Sequence, residues 1–507
     1  MICKVKKVIK KLLSLFPKIT GDIVIYGVGG SLVQFVGLIT IPIITRILIS
    51  NDVGKVDVIN ALAGYFLVLI PINLVSGLMR YFYEVSEDAK NDRKKMVSSA
   101  IWFTTIFGAL IVWLVWMFSS QLSTALFGTP ASSMAIVLAV ASLPFTALKE
   151  IFASVLRMER KPIVFLILNI IYATINFLLI LFFILGLKKG IEGYFGAQIL
   201  SGLFITLTSA WFCRSYLGLT FSAKWFGVMA AYALPMLPGG LLNQGMMSIN
   251  RILLTQFTTE SQIAYFGVAT KAAKVVELAV TAFIMGWLPI FLANINSESF
   301  HKKLNKVFRY YFYATLVLSA LITIFAKEFF YILAPAEYSA GIPLVALLCL
   351  KQVITGSTYT FTVGITQKKK TYLVSVSTAF GVAGTILFSL LLSPRYGIFG
   401  AAIADVIGIA IYTLAMLLFS NHLVRLELAY KPVLLAMGAF LGMWLTTILV
   451  RIGSYWADLA FRIGLLSLFL LGVFVIIDQG KLLSSLRGAI KENFGEPFRT
   501  DEEEKLN

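Results

Sequence analysis

The sequence predicts an all-α polytopic membrane protein of about 14 transmembrane helices, arranged as two parallel-repeat six-helix lobes followed by two C-terminal helices. Three observations carry this. Of the 507 residues 59% are hydrophobic and only 13% are charged, about half the charged share of soluble domains. Apolar runs of roughly 20 residues, each long enough to cross a hydrocarbon core about 30 Å thick, recur almost end to end with short connections. A motif that closes the first span also returns six spans later, so both copies enter from the same side of the membrane.

The opening MICKVKKVIKKLLSLFPK places Ile2, Val5, Ile9, Leu12, Leu13 and Phe16 at helical spacing opposite a run of lysines. Residues 1–19 are therefore predicted to form a basic amphipathic helix lying in the membrane interface. Lysines interrupt its apolar residues and no small-residue cleavage site precedes the first span, which argues against a cleaved signal peptide.

The first span, 20–45, contains Pro42 and ends in IPIITRILISNDVG, with Arg46 at its outer end. The second, 56–79, has Asp57 and Asn60 near its outer end and closes in GLMRYFYE. Spans at 97–118 and 133–156 follow, the latter carrying Lys149 and Glu150 near its inner end. The fifth, 162–186, sets Asn169 and Asn176 on one face, a spacing suited to interhelical hydrogen bonds. The sixth, 193–213, completes an N-lobe over 20–213, and a cytoplasmic linker, 214–225, leads to a C-lobe over 226–420.

In the C-lobe the seventh span, 226–250, contains Pro235 and Pro238 and runs into SINRILL with Arg251. The eighth, 264–292, begins near Gly267 as the second begins near Gly54. The matched Arg-Ile-Leu closures followed by a polar loop and a glycine are the internal repeat. Pro42, Pro235 and Pro238 remove backbone bonds from the first helix of each half and are read either as hinges or as tolerated kinks. The ninth span, 310–326, the tenth, 341–366, interrupted by Lys351, the eleventh, 372–392, and the twelfth, 397–420, close the lobe. Helices at 433–450 and 459–478 form the extra pair, and 479–507 is a cytoplasmic tail.

The net charge of +18 is a matter of topology rather than of nucleic acid. Most lysines and arginines fall on connections after even-numbered spans, in clusters such as Lys90 to Lys95, Arg157 to Lys161, Lys302 to Arg309 and Lys368 to Lys370. The positive-inside rule then puts both termini in the cytoplasm and these clusters against anionic lipid.

The eighth span carries the unusual chemistry. Each lysine or carboxylate at mid-membrane costs roughly 2.5 to 3.5 kcal/mol on insertion scales, so GVATKAAKVVELAVTAF cannot present Lys271, Lys274 and Glu277 to lipid. At 100° per residue Gly267, Thr270, Lys271, Lys274, Glu277 and Thr281 fall within about 60° of Lys274, one polar stripe roughly 20 Å long. Lys274 and Glu277 are spaced to pair, which leaves Lys271 and Arg251 as surplus cations and favours an anion-accepting cavity. Arg46 is read evenly as interface anchor or as part of that site. Lys351 is a weaker substrate-binding candidate. Asp405, among small residues in GAAIADVIG, either titrates or binds a cation or is a buried structural carboxylate, and Asp57 is placed beside the cavity.

Catalysis finds no support. His301 and His422 lie in predicted connections, Cys3, Cys213 and Cys349 form no CxxC pair, and neither a P-loop nor a nucleophile elbow is present. No cofactor is expected. The drive would come from proton or sodium coupling, the membrane potential or the substrate gradient.

In order along the chain, IPIITRILISNDVG, GLMRYFYE, SINRILL, IAYFGVATKAAKVVEL, GWLPIF and KKKTYLVSVS resemble the polysaccharide transporters of the multidrug/oligosaccharidyl-lipid/polysaccharide exporter superfamily, nearest to its O-antigen and capsule repeat-unit flippases. The likeness covers residues 20 to about 420. It implies a flippase of the bacterial inner membrane that moves undecaprenyl-diphosphate-linked oligosaccharides to the outer leaflet, two lobes rocking around a cationic cavity. It also implies a polysaccharide polymerase and a chain-length regulator as partners. Arg251 matches the family's basic position closing the seventh helix, and Lys271 its lysine in the eighth. Where members often carry an aspartate before that arginine, this chain has Asn250, which removes an ion partner and any cation coupling assigned to it. The alternatives are a lipid II flippase, a cation-coupled multidrug exporter, whose cavity would be dominated by carboxylates, and a membrane scaffold for a polysaccharide synthase.

Overall fold

The computed structural model describes residues 37, 39–85, 90–294, 298–368, 370–426, 428–450 and 452–478; the interfacial segment 1–19 and the tail 479–507 lie outside them. Among the described residues every regular element is helical. The C-terminal part of the predicted first span is α1, residues 39–47. The N-lobe continues with α2 (Ser50–Leu69), α3 (Leu74–Phe82), α4 (Lys90–Phe127), α5 (Ser133–Ala141), α6 (Leu143–Met158), α7 (Pro162–Leu181) and α8 (Gly190–Phe212). After the linker come α9 (Ala223–Ala233), α10 (Leu237–Leu254), α11 (Glu260–Asn294), α12 (Glu298–Ile324), α13 (Ala326–Leu333), α14 (Leu344–Phe361), α15 (Val363–Gln367) and α16 (Tyr372–Leu423). The extra pair is α17 (Tyr430–Leu449) and α18 (Tyr455–Asp478).

Among the described residues ten helical segments are long and apolar enough to cross a membrane, or eleven with the bent pair α2/α3. α16 supplies two crossings. At Gly397, three residues after Pro394, the backbone takes φ 54° and ψ −133°, a region open to glycine alone at low cost. Beyond it the arms run antiparallel and meet through small residues: a Cβ on Gly408 would lie 1.9 Å from Thr385 Oγ1, and one on Gly400 would lie 2.4 Å from the Leu392 carbonyl oxygen. Backbones can approach this closely only where side chains are missing. With α11, whose polar stripe lowers its apolarity, thirteen of the predicted fourteen crossings lie among the described residues, and most of the predicted first span, 20–45, lies outside them.

Three of the spans expected to be continuous break beside a proline. α2 and α3 meet at 41°, where Pro71 is followed by Ile72 and Asn73 at φ 38° and 63°. The fourth span breaks at Ser142, ahead of Pro144, and the seventh at a short 3-10 turn, Leu234–Met236, around Pro235. In each a proline lacks the N–H that would continue the helix.

The first helix of each half reaches across to the other half. Met229 and Ala230 of α9 join the apolar cluster of Leu74, Leu78, Phe82, Met96 and Val97 in the N-lobe. Ile41, Ile44 and Leu48 join the large cluster of the C-lobe around Phe266, Phe312 and Phe330. Thr45 Oγ1 donates to the Leu333 carbonyl at 2.7 Å. Each lobe is therefore grasped by a helix of the other half.

The extra pair is held at one end by charges that hydropathy alone did not single out. Arg462 donates through Nε to Asp458 at 3.0 Å and through Nη2 to Glu328 at 2.7 Å, while Lys327 Nζ reaches Asp458 at 2.8 Å. Burial pushes the Glu328 carboxyl up, but the hydrogen bonds and charge of Arg462 outweigh it and hold the group below its ordinary value. A depressed carboxylate stabilises the fold above its unfolded pKa of about 4.3, and that contribution is lost as pH falls through the folded value. Thermal unfolding of the purified protein should therefore show a loss of stability on acidification below about pH 4. Arg462→Gln should remove most of that dependence; an unchanged acid profile would refute the role given to the pair.

Candidate functional site

Between the lobes lies a cavity of about 350 Å³ lined by Thr40, Ile41, Asp57, Asn176, Tyr194, Arg251, Thr270, Lys271 and Lys274 among others. α2 brings Asp57, α10 brings Arg251 in its last turn, and α11 turns the N-terminal part of its polar stripe to the cavity. The stripe faces protein and cavity as its cost in lipid requires, while Val268 and Val276 on other faces of the helix are fully buried.

Pairing inside the cavity differs from the i,i+3 expectation. Lys271, read as surplus, has its Nζ 3.5 Å from Asp57 Oδ1 across the lobes. Lys274 has no carboxylate within ion-pair distance among the described residues. Glu277 turns instead to α14, where Gln352 Nε2 donates to its Oε2 at 3.5 Å, and it is not part of the lining. One helix face thus splits between two neighbours: its N-terminal half meets the cavity and its C-terminal half meets α14.

Arg251 also lines the cavity, and its Nε is buried without a hydrogen-bond partner. The preceding Asn250 points the other way. Its Nδ2 donates to the Ala401 carbonyl at 2.6 Å and its Oδ1 accepts from Ser389 Oγ at 2.6 Å, so it pins α10 to both arms of the α16 hairpin. A neutral amide, which both donates and accepts, suits this position where a carboxylate would only accept.

The remaining candidates sit elsewhere. Arg46 donates to the carbonyls of Ile332 at 3.0 Å and Tyr331 at 2.9 Å, satisfying the C-terminal carbonyls of α13 as a basic side chain can; it is outside the cavity lining. Lys351 and Asp405 form a 2.8 Å ion pair inside the C-lobe, with side chains only 14% and 6% exposed. Neither lines the cavity, and the ammonium already occupies the place a free cation would take at Asp405. Asn176 does make an interhelical bond, accepting from Ser201 Oγ at 3.0 Å, whereas Asn169 donates to the Phe165 carbonyl within its own helix.

Tyr194 and Thr40 were not singled out by sequence. An aromatic or a lone threonine in an apolar helix carries no signal until its neighbours are known. Among the described residues the cavity holds Arg251, Lys271 and Lys274 against Asp57 as its one carboxylate, and no group of His, Cys, Asp and Glu suited to a metal occurs. Such a chamber can accept an anion. Each close charge pair is worth about 4 kcal/mol at an effective dielectric of 20, before desolvation is subtracted.

Comparison with curated protein sequences gives no significant match. Among solved structures, one described as "Lipid II flippase MurJ, inward closed conformation" superposes with a TM-score of 0.66 at 17% identity, covering 90% of this chain and 100% of that one. An inward-facing multidrug resistance MATE family transporter of the MOP superfamily gives 0.58 at 17% identity, covering 77% and 97%. An outward-facing MATE family transporter gives 0.54 at 15% identity, covering 79% and 95%. At these identities the likeness concerns the fold. The family model described as "Polysaccharide biosynthesis protein" matches residues 19–295, more than half of the chain, and the protein is therefore a member of that polysaccharide biosynthesis family, folded like the MurJ and MATE proteins.

Proposed function

We propose that this protein is a flippase that carries undecaprenyl-diphosphate-linked oligosaccharide repeat units from the cytoplasmic to the outer leaflet of a bacterial inner membrane, by alternating access, for O-antigen, capsule or exopolysaccharide assembly. The observation that carries this reading is the cation excess of the inter-lobe cavity: Arg251, Lys271 and Lys274 against Asp57. A diphosphate needs such partners at membrane depth, while its polyprenyl tail can stay in lipid. A chamber of about 350 Å³ is at the low end of ligand clefts, which suits the charged headgroup more than a whole repeat unit. Family membership and the MurJ-like fold point the same way.

A lipid II flippase is the nearer rival, because the MurJ structure is the fold match covering 90% of this chain and its substrate carries the same diphosphate. Loss of a surface glycan on deletion, with growth intact, supports the oligosaccharide reading; lethality supports the rival. The multidrug reading is opposed by the sparse carboxylates of the cavity.

Proteoliposomes provide the direct test. A fluorescent polyprenyl-diphosphate oligosaccharide should cross the reconstituted bilayer faster than in protein-free vesicles, and a cationic dye should not. Movement of the dye alone would refute the proposal.

A further inference from the structure

Resting on that reading, we infer that Asp57 is a displaceable counter-anion: it holds Lys271 while the cavity lacks substrate and gives it up to the incoming diphosphate, so that headgroup binding loosens the outer seam between the lobes.

Asp57 is buried, 6% exposed, yet poorly satisfied. Among the described residues Oδ1 has a single ion pair, at 3.5 Å, longer than the 2.7–2.9 Å of a good charge-assisted bond. Oδ2 is buried with no hydrogen bond and faces Gly267, where an added Cβ would lie 1.6 Å away. The partner it holds belongs to the other lobe.

The same seam is closed nearby by Ser50 Oγ and Ser261 Oγ at 3.1 Å and by Gly54, whose absent Cβ would fall 1.8 Å from the Glu260 carbonyl oxygen. The two repeat-matched glycines thus face each other's halves, and the pair of helix starts they allow, α2 and α11, forms the outer closure. A diphosphate offers Lys271 several oxygens at once, with Arg251 and Lys274 beside it. Bound there, it also repels Asp57, and a buried carboxylate that has lost its cation is costly to keep from water. Water reaches it when the seam parts. Anion binding and outer opening are then coupled, and reciprocally so.

The test uses the full chain in lipid nanodiscs, with Cys3→Ser and the pair Ser50→Cys/Ser261→Cys, the native Cys213 and Cys349 being buried. Farnesyl diphosphate is the probe and farnesol its control. The diphosphate should slow disulfide formation across the seam by about fivefold or more, the lower end of typical coupling, and farnesol should not. Asp57→Asn should bind the probe several-fold more tightly, because its competitor is gone, while cross-linking no longer responds to it. A purely structural ion pair would not tighten binding when removed. Lys271-dependent binding with unchanged cross-linking in the Asp57 chain, or weaker binding in Asp57→Asn, overturns the inference and leaves the flippase reading standing. Absence of probe binding in both chains overturns the two together.

Discussion

Replacing Arg251 with alanine is expected to abolish export of the surface polysaccharide while leaving the protein in the membrane. The guanidinium lines the inter-lobe cavity with a buried Nε that no group among the described residues satisfies, so that nitrogen has hydrogen-bonding capacity for a ligand. A hydrogen bond to a charged group contributes about 1.5–3 kcal/mol, which is roughly ten- to a hundredfold in affinity for the headgroup. Any part of that interaction that strengthens as the lobes exchange positions appears in the rate as well. Lys271→Ala should be comparably damaging to transport and should also leave Asp57 buried without its cation. Lys274→Ala, which removes a charge with no described ion partner, should weaken binding less. The measurements are surface polymer by immunoblot, protein abundance in the membrane fraction, and flipping rate in proteoliposomes. Normal polymer and rate from both Arg251→Ala and Lys271→Ala would refute the site.

These expectations could be framed because the cavity's cations were legible from the chain. Lys271 and Lys274 stand out in the eighth span because lipid will not accept them, and Arg251 stands out because a repeat places it. The arrangement of spans was legible for the same reason, since apolar length and the alternation of basic connections are both local properties. What hid was everything decided by a distant partner. Nothing near Lys271 announces Asp57, and helical spacing assigned Glu277 to Lys274, when α14 draws that carboxylate away through Gln352. Lys351 looked like a ligand-binding residue until Asp405 was found against it. Asn250, met as a departure from the family pattern, proved to be a bridge to Ser389 and Ala401. Broken spans were half visible: Pro235 and Pro238 drew attention, whereas Pro71 and Pro144 sat among apolar residues and did not.

The Lys351–Asp405 pair carries the second large expected effect, on stability. Asp405 is buried inside the C-lobe, Lys351 is largely so, and the two are 2.8 Å apart, joining α14 to the second arm of α16. Removing one member of such a pair strands the other's charge, at about 3–5 kcal/mol, a large fraction of the 5–15 kcal/mol that typically separates folded from unfolded domains. Lys351→Ala and Asp405→Ala should each sharply reduce membrane abundance and lower the unfolding temperature in detergent. Replacing both with apolar residues of similar volume, Lys351→Met with Asp405→Leu, should recover most of the loss, because two desolvated charges disappear together. The double-mutant cycle therefore predicts strong non-additivity; additive losses would mean that the ion pair is not what holds these helices. Transport by the rescued double variant then bears on drive. With Lys351 in place, Asp405 has an ammonium where a coupling ion would bind, so a pair that only shapes the lobe predicts retained flipping in the double variant. A folded double variant that no longer transports would instead give these two charges a part in the movement of the lobes.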